Sequence, residues 1–374
     1  MKGIWQQLKY LNRQRNLKTK ILKNEIKILF ITLLKGNKRT PFIADNYQTI
    51  LLFMHTMGLG DAIVCSGFID NLRKHNKKVY IIAEKRISFL FNTCIPVDGV
   101  FEFDRKNHAQ LKKTIKQHYF DLIIDFSDMD STVIHRLYTL YITNYQHALS
   151  FNQNKLTIYD TNILYNENKH ISDRMLYVLK LLNLPAEHYQ YIIHFPQVIT
   201  NKVETFIKKN DINNLIIFNP FASEKSRSMS NQQIYSLLTE LDKYDKYTTL
   251  VFDLGKDLDF SSYQHVIANP YSDFISAACL VQFADLVITV DTSIVHLATA
   301  LDKGQIAIYN NRLFNNRFNN NVVWGPNSDK ALQITTNKYL NTEMGDPIAD
   351  LDPNLIIKAL HNYMKTMSTT IGKK

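Results

Sequence analysis

Residues 283–300 read FADLVITVDTSIVHLATA and contain the transition on which the fold assignment depends. A β-branched run over Leu286–Val290 ends at Asp291, and apolar residues then recur at helical spacing from Ile294. This pattern predicts a strand that leads directly into a helix. The turn places small hydroxyl groups and free backbone N–H groups at a helix N-terminus, which favours a phosphate. An ordinary strand–helix junction, with Asp291 or Thr292 as N-cap, is the alternative explanation.

The alternation between strands and helices continues on both sides of this stretch. Short apolar runs separated by helical patterns predict parallel strands in doubly wound α/β sheets. The strands predicted in the first half are Thr49–His55, Lys78–Ala83, Gly99–Phe103, Phe120–Phe126 and Ala148–Phe151. Those predicted in the second half are Leu215–Asn219, Tyr247–Leu254, His265–Ile267, Leu286–Val290 and Gln305–Tyr309. An irregular segment, residues 152–170, followed by Pro185 and Pro196, separates the two halves.

We therefore expect two Rossmann-like domains of similar length. The first comprises residues 48–195 and the second residues 196–350, with ligands bound where the carboxyl ends of their strands face each other. Residues 1–47 form a basic extension and a linker. Residues 351–374 contain a terminal helix that could return to the first half.

Length and composition are typical of a soluble globular protein. The 374 residues exceed what one hydrophobic core usually supports, and 45% of them are hydrophobic whereas 21% are charged. Cys65, Cys94 and Cys279 are odd in number and widely spaced, which indicates buried thiols and neither a disulfide framework nor a metal site. The sequence has no secretory signal pattern and no run long enough to span a bilayer, so we expect a cytoplasmic protein.

Residues 1–40 carry the whole excess of positive charge. They contain eleven basic residues and the single acid Glu25, and the net charge of the full chain is +10. Apolar residues such as Trp5, Leu29 and Leu33 recur between the basic ones at roughly helical spacing. This pattern predicts basic amphipathic helices suited to an anionic membrane surface. Packing of the apolar stripe on the body or on a partner subunit is the alternative. No nucleic-acid-binding motif accompanies the charge, so we expect no nucleic acid.

A glycine loop follows the first predicted strand. Residues 57–61 read MGLGD and lead into a helix, and glycines at such a junction allow close approach of backbone or ligand. Asp61 is unusual there, because an acid at a helix start opposes the binding of an anion. The sequence leaves two roles open for Asp61, a helix cap and a group that takes up a proton.

Four segments in this order resemble glycosyltransferase family 9, the heptosyltransferases. They are the glycine loop Met57–Asp61, the pair His170 and Arg174, the loop Asn219–Ser223 with Arg227, and Asp291–Ser293 with His296–Ala298. The resemblance covers about residues 48–345. It implies the GT-B fold, in which two Rossmann-like domains, an N-terminal acceptor domain and a C-terminal donor domain, face a central cleft.

The resemblance also implies a reaction. A heptose moves with inversion from ADP-heptose to the inner core of lipopolysaccharide or lipooligosaccharide, without a covalent enzyme intermediate and without a metal or cofactor. Asp61 corresponds to the catalytic base. The residues implied in donor binding are Gly60, Ser223, Arg227, Asp291, Thr292, Ser293 and His296. Such an enzyme would work on a lipid-linked acceptor at the inner face of the membrane, where the basic extension would suit it.

Some positions depart from the family pattern. Ser293 occupies the position of a usual glycine, and Arg227 that of a common lysine. Residues 127–131 read SDMDS, and their Asp128 and Asp130 have the spacing of a D-x-D metal motif, although acids after a strand are more often caps. We expect no metal. Gly255 and Lys256 follow a predicted strand and form either a nucleoside pocket or a simple turn.

Three other functions remain open at this level. They are a glycosyltransferase with another nucleotide-sugar donor, a nucleotide-sugar epimerase on the same fold, and a sugar-nucleotide-binding protein without catalysis. The acidic loop at residues 127–131 and the serine at position 293 make the last of these conceivable. An epimerase would need additional acid–base groups and no saccharide acceptor.

Overall fold

A computed structural model of the protein describes residues 19, 26–33, 40–128, 133–153, 156–187, 189–255, 258–314, 317–337 and 345–371. Two six-stranded sheets dominate this part of the chain, and every strand pair within them is parallel. Helices follow most of the strands. The expected doubly wound α/β class is therefore confirmed.

The first sheet has the strand order β3-β2-β1-β4-β5-β6. Its strands are β1 (Thr49–Met54), β2 (Lys78–Glu84), β3 (Gly99–Phe103), β4 (Tyr119–Asp125), β5 (Asn144–Phe151) and β6 (Thr161–Ile163). Its helices are α2 (Leu59–Lys74), α3 (Lys85–Thr93), α4 (Ala109–Ile115), α5 (Val133–Ile142) and α6 (Ser172–Leu181). The central strand β1 is almost wholly apolar because helices cover both faces of a parallel sheet.

The second sheet has the strand order β14-β11-β10-β7-β8-β9. Its strands are β7 (Leu215–Asn219), β8 (Thr248–Val251), β9 (Val266–Ala268), β10 (Leu286–Val290), β11 (Gly304–Tyr309) and β14 (Ala331–Thr335). Its helices are α7 (Gln197–Lys209), α8 (Asn231–Leu241), α9 (Phe274–Val281), α10 (Ser293–Ala300), α11 (Asn320–Val323) and α12 (Pro353–Ile371). A small antiparallel hairpin, β12 (Leu313–Phe314) with β13 (Phe318–Asn319), follows β11.

The two halves meet where α2 packs against α10. Two hydrogen bonds beside this contact also join them. The Ile171 N–H donates to the Val323 carbonyl at 2.9 Å, and His170 Nε2 donates to the Gly325 carbonyl at 3.1 Å. Both donors lie at the start of α6 in the first half, and both acceptors lie at the end of α11 in the second. The floor of the space between the sheets is thus a continuous packed core.

The terminal helix α12 corrects one expectation. Its apolar residues Ile356, Leu360 and Met364 are buried in the core cluster of the second half, and the helix packs against α8 and β14. Tyr363 fills the space beside Gly304 that a Cβ atom would need. The helix therefore completes the second half instead of returning to the first, because its apolar stripe is used on the sheet nearest to it in sequence.

Elements absent from the sequence prediction are short or polar. Strand β6 lies inside the segment predicted to be irregular, and β14 and the hairpin β12–β13 follow the strand predicted to be last. The residues of β14 are intermediate in burial or exposed. Edge strands of this kind lack the continuous apolar run by which buried strands are recognised.

Residues 26–33 form a helix, α1, with two apolar faces. Ile28 and Ile31 pack against the core of the first half. Four other apolar side chains of α1 are 60–72% exposed: Ile26, Leu29, Phe30 and Leu33. Packing of the apolar stripe on the body, the alternative to membrane binding in the sequence analysis, is therefore found for one face of α1 only. The rest of residues 1–39, apart from Thr19, lies outside the described residues. No helix in the described ranges has both the length and the apolar character needed to cross a membrane.

Candidate active site

The starts of α2 and α10 touch at the floor of the cleft. A Cβ atom at Gly60 would lie 2.8 Å from His296 Cδ2 and 3.5 Å from Ser293 Cα. Only a residue without a side chain allows these two helix starts to come so close. The glycine loop and the Asp291–His296 turn, which are 230 residues apart in sequence, therefore form one site.

Asp61 lies in the first turn of α2, on the wall of the cleft. Its carboxylate accepts a 2.5 Å hydrogen bond from the Gly58 N–H. Burial raises the pKa of Asp61, while the Gly58 N–H and the Arg86 guanidinium act in the opposite direction. A carboxylate with a raised pKa is a stronger base, so the cap and the proton acceptor suggested by the sequence are compatible in one side chain.

Thr292 is the N-cap of α10. Its Oγ1 accepts a 3.2 Å hydrogen bond from the Ile294 N–H, and Asn219 Nδ2 donates to the same oxygen at 2.9 Å. Asn219 also donates to Thr289 Oγ1 at 2.9 Å, which ties the end of β7 to the end of β10. The Thr292 hydroxyl is therefore used within the protein. The turn can attract an anion through the positive end of helix α10 and through its backbone N–H groups.

Arg227 joins the loop after β7 to this turn. Its Nη1 donates to the Asp291 carbonyl at 2.8 Å, and its Nη2 donates to Ser223 Oγ at 3.1 Å. The guanidinium also forms ion pairs with Asp291 Oδ2 at 3.5 Å and with Glu224 Oε2 at 3.4 Å. The contact brings together Ser223, Arg227 and Asp291, which the sequence assigned to one site.

Asp291 is the buried acid of the site. Burial raises its pKa, and the Arg312 and Arg227 guanidinium groups oppose this increase. Arg312 Nη2 lies 3.5 Å from Asp291 Oδ2, and Asn320 Nδ2 donates to the same oxygen at 3.2 Å. Neither Arg312 nor Asn320 was a candidate from the sequence. They lie around the hairpin β12–β13, whose polar sequence gives no periodic signal.

His296 is 5% exposed and is uncharged at neutral pH. Burial and the neighbouring His170 lower the pKa of His296 to about 3. In donor binding, the role that the resemblance implies for His296, a neutral ring would offer one N–H and no positive charge. His296 Nδ1 is buried without a hydrogen-bond partner among the described residues. His170 is half-buried, and loss of hydration lowers its pKa to about 4.

The cleft has a volume of about 1960 Å³. Every described residue among the predicted site residues lines it: Gly60, Asp61, Ser223, Arg227, Gly255, Asp291, Thr292, Ser293 and His296. Gly255 has a φ of +67°, and a Cβ atom there would contact nothing within 4 Å. Lys256 lies outside the described residues. Aromatic side chains add apolar wall that the sequence did not indicate, among them Tyr271, Phe274 and Trp324.

Asp128 of the D-x-D pattern is engaged by protein groups. Arg174 forms an ion pair with its Oδ1 at 2.9 Å and donates from Nη2 to its Oδ2 at 3.0 Å. Asn152 Nδ2 donates to Oδ1 at 2.7 Å. Arg174 therefore holds the loop after β4, and Asp130 lies outside the described residues. In the parts of the chain that are described, no three His, Cys, Asp or Glu side chains are grouped so as to hold a metal ion.

Comparison with known proteins gives a consistent result. Residues 261–360 match the model of glycosyltransferase family 9 (heptosyltransferase). The chain is 26% identical over 367 residues to an Escherichia coli K12 protein named "Putative lipopolysaccharide heptosyltransferase 4", with 94% of this chain and 96% of the relative covered. The matched family segment includes the turn at Asp291.

Two solved structures show the same fold. The glycosyl transferase family 9 protein of Veillonella parvula has a TM-score of 0.70 at 14% identity, covering 86% of this chain and 98% of its own. The ADP-heptose lps heptosyltransferase II of E. coli has a TM-score of 0.65 at 14% identity, covering 86% and 99%. At these identities the two structures show the fold, and the expected GT-B arrangement is confirmed.

Proposed function

We propose that the chain, which is similar to glycosyltransferase family 9, transfers a heptose with inversion from ADP-heptose to the inner core of lipopolysaccharide or lipooligosaccharide. The names of the E. coli relative and of the E. coli structural neighbour support this donor and acceptor. The observation that carries the proposal is the contact between the Asp61 helix start and the Asp291–His296 helix start. It sets a carboxylate beside a site suited to a diphosphate.

Asp61 is the proposed general base. The acceptor hydroxyl oxygen attacks the anomeric carbon as the bond from that carbon to the diphosphate oxygen breaks, and the hydroxyl proton passes to the Asp61 carboxylate. Burial raises the pKa of this carboxyl, and a higher pKa makes its carboxylate a stronger base. Its short bond to the Gly58 N–H fixes one carboxylate oxygen, so the other is available for the acceptor.

The second half is proposed to stabilise the departing ADP. Arg227 supplies positive charge in a fork that suits phosphate oxygens. The Ser293 N–H at the start of α10, together with the helix dipole, adds fixed partial positive charge. His296 adds one N–H from a neutral ring, and Ser223 adds a hydroxyl. Gly60 allows the two helix starts to meet, and no cofactor is required beyond the nucleotide sugar.

The nucleoside is proposed to lie at the outer part of the same wall. Gly255 follows β8 at the carboxyl edge of the second sheet, where doubly wound folds bind nucleotides. Tyr271 and Phe274 line the cleft on that side and offer faces on which a base can stack. Lys256, which the sequence places next to Gly255, is kept in the proposal as a group for the ribose or the phosphate.

An assay of ADP release tests the function. The protein is incubated with ADP-heptose, with and without a truncated lipopolysaccharide core, and both ADP and the sugar product are followed. We expect ADP release that depends on the acceptor. Isomerisation of the sugar without an acceptor would instead indicate an epimerase, and binding without turnover a sugar-nucleotide-binding protein. Turnover with another nucleotide sugar alone would change the donor and keep the transferase.

The basic extension is proposed to hold the enzyme on an anionic membrane surface. The exposed face of α1 contributes Leu29, Phe30 and Leu33, and residues 1–40 contribute eleven basic side chains. Apolar side chains between basic ones bind lipid interfaces by burial of the former and attraction of the latter. A peripheral position at the inner face of the membrane would bring the cleft close to a lipid-linked acceptor.

A further inference from the structure

Two carboxylate oxygens lie between two arginines at the donor side of the cleft. Asp291 Oδ2 is 3.5 Å from Arg227 Nη1 and 3.5 Å from Arg312 Nη2. Glu224 Oε2 is 3.4 Å from Arg227 Nε and 3.9 Å from Arg312 Nη1. Each of the two oxygens therefore bridges both guanidinium groups. The four formal charges cancel, so this cluster as it stands offers a diphosphate no net attraction.

The two acids are held very differently. The Asp291 side chain is 8% exposed, and its Oδ2 also accepts a hydrogen bond from Asn320 Nδ2. The Glu224 side chain is 56% exposed, and its two ion-pair distances exceed those of good hydrogen bonds. An exposed and loosely paired carboxylate contributes little stability. Glu224 is therefore the exchangeable anion of the cluster and Asp291 the permanent one.

Both arginines have a donor without a hydrogen bond. Nε of Arg227 and Nε of Arg312 are buried with no hydrogen-bond partner in the described residues, although Arg227 Nε faces Glu224 Oε2 at ion-pair distance. An unsatisfied buried donor is costly, and it recovers that cost when an acceptor arrives. Phosphate oxygens can accept several such donors from a planar guanidinium at once.

The backbone of Arg312 is fixed before any ligand binds. Gly345 packs directly against it, since a Cβ atom at Gly345 would lie 2.6 Å from Arg312 N. The Asn320 N–H donates to the Arg312 carbonyl at 3.1 Å. Such support reduces the entropy lost when the side chain grips an anion.

We propose that Arg312 and Arg227 form a two-arginine clamp for the donor diphosphate, and that Glu224 occupies this clamp until the diphosphate displaces it. The proposal rests on the proposed function, because it assumes a nucleoside diphosphate at this site. It adds Arg312 as a second ligand of the diphosphate and Glu224 as a competing anion. Asp291 stays in place and keeps the two arginines facing each other.

Binding of ADP and of adenosine to the wild type and to variants tests the clamp by calorimetry. Arg312→Gln should weaken ADP binding by about 10- to 100-fold, the range for a hydrogen bond to a charged group, and leave adenosine binding within about 2-fold. Arg312→Lys should recover only part of the loss, since it keeps the charge and lacks the fork. Glu224→Gln should strengthen ADP binding by about 3- to 10-fold, because it removes a competing charge.

Matched variants control for net charge. Arg73→Gln removes a surface arginine that pairs with Asp98, and Glu240→Gln removes an acid that pairs with Lys243. Both should leave ADP binding within about 2-fold. The double variant of Arg312→Gln and Glu224→Gln should show no gain from the second change, because Glu224 then has less to compete for.

Several outcomes would overturn the clamp. If Arg312→Gln leaves ADP binding unchanged, or weakens adenosine and ADP equally, Arg312 only neutralises Asp291. If Glu224→Gln binds ADP with the same affinity as the wild type, Glu224 does not compete with the diphosphate for the clamp. If the wild type binds UDP or inorganic pyrophosphate but not ADP, the same variants are compared with that ligand, and the ADP donor alone is wrong. If the wild type binds no nucleoside diphosphate and no pyrophosphate, the clamp and the proposed function both fall.

Discussion

Gly60 and His296 are in direct contact across the two halves of the molecule, at a distance that leaves no room for a methyl group on Gly60. This contact sets how close Asp61 comes to the turn at Asp291. It also explains why the floor of the cleft is packed while the space above it is open.

Gly60→Ala should separate the two helix starts. The new Cβ would meet His296 Cδ2 at 2.8 Å and the α10 backbone at 3.5 Å, and relief requires movement of a buried ring or of a helix. Overpacking of this kind costs about 1–3 kcal/mol. We expect a lower melting temperature and a loss of transfer larger than the loss of ADP binding. Unchanged melting and turnover together would contradict the close contact.

Asp61→Asn should remove the carboxylate that takes up the proton. It should keep the hydrogen bond at the start of α2, since the amide oxygen can still accept from the Gly58 N–H. Transfer should fall by about 10²- to 10⁴-fold, the usual contribution of a general base, with ADP binding within a few-fold. In the wild type, the rate of the chemical step should decline as pH falls through the raised pKa of Asp61. A variant with near-normal turnover would rule out Asp61 as the base.

The same variant should be more stable than the wild type at neutral pH. The pKa of Asp61 is raised in the folded state, so the folded protein holds this proton more tightly than the unfolded chain. Stability from this group is present below the unfolded pKa and is lost as pH rises through the folded pKa. Denaturant unfolding at pH 7 should therefore give Asp61→Asn the higher free energy of unfolding, and a lower value would mean that the ionised carboxylate stabilises the fold.

His170 should make the protein sensitive to acid. Burial lowers its pKa from 6.5 to about 4, so stability from the neutral ring is present above pH 6.5 and is lost as pH falls toward 4. Each pKa unit corresponds to about 1.4 kcal/mol. Denaturant unfolding is measured at a series of pH values between 6.5 and 4. Over this interval the free energy of unfolding should fall less steeply for His170→Gln than for the wild type. Equal slopes for variant and wild type would contradict the lowered pKa of His170.

Transfer should not require a divalent metal. Asp128 is already bonded to Arg174 and Asn152, and protein groups are proposed to carry the diphosphate charge. Turnover in excess EDTA should equal turnover in its absence, and added Mg²⁺ or Mn²⁺ should not increase it. Loss of activity in EDTA that Mg²⁺ restores would instead give the acidic loop a metal-binding role.

The exposed face of α1 should determine membrane binding. Leu29→Glu and Phe30→Glu each replace an exposed apolar side chain and should reduce sedimentation with anionic vesicles, since burying one such side chain is worth about 1.5–3 kcal/mol. Leu355→Glu makes the same change in charge at a 49% exposed position of α12 and is the control. If Leu29→Glu and Phe30→Glu bind vesicles as well as the wild type and the control variant do, α1 only packs on the protein and does not bind the membrane.

The sequence predicted the buried elements best. Predicted strands Leu215–Asn219 and Leu286–Val290 have the bounds of β7 and β10, because a fully buried parallel strand is a continuous apolar run between turn signals. The predicted strand Gly99–Phe103 also has the bounds of β3, an edge strand that is only partly buried. Other predicted strand bounds differ by a few residues: the strand predicted at Tyr247–Leu254 is observed as β8, Thr248–Val251.

The sequence did not indicate groups whose role depends on distant partners. Arg312 belongs to the site because β11 runs beside β10, which brings the hairpin back to Asp291. Asp128 is bonded to Arg174, 46 residues away. The charge of His296 also depends on burial against the first half, and position in a helix alone could not reveal it. Such relationships arise from tertiary packing, which local periodicity does not encode.

The joint made by α2, α10 and the bond from Ile171 to Val323 has a consequence for any rotation of one half on the other. A rigid rotation about a joint displaces each residue in proportion to its distance from that joint. Asp61 and Thr292 stand next to Gly60 and Ser293, which are in contact at the joint. Such a rotation would therefore change their separation least and the width of the outer cleft most.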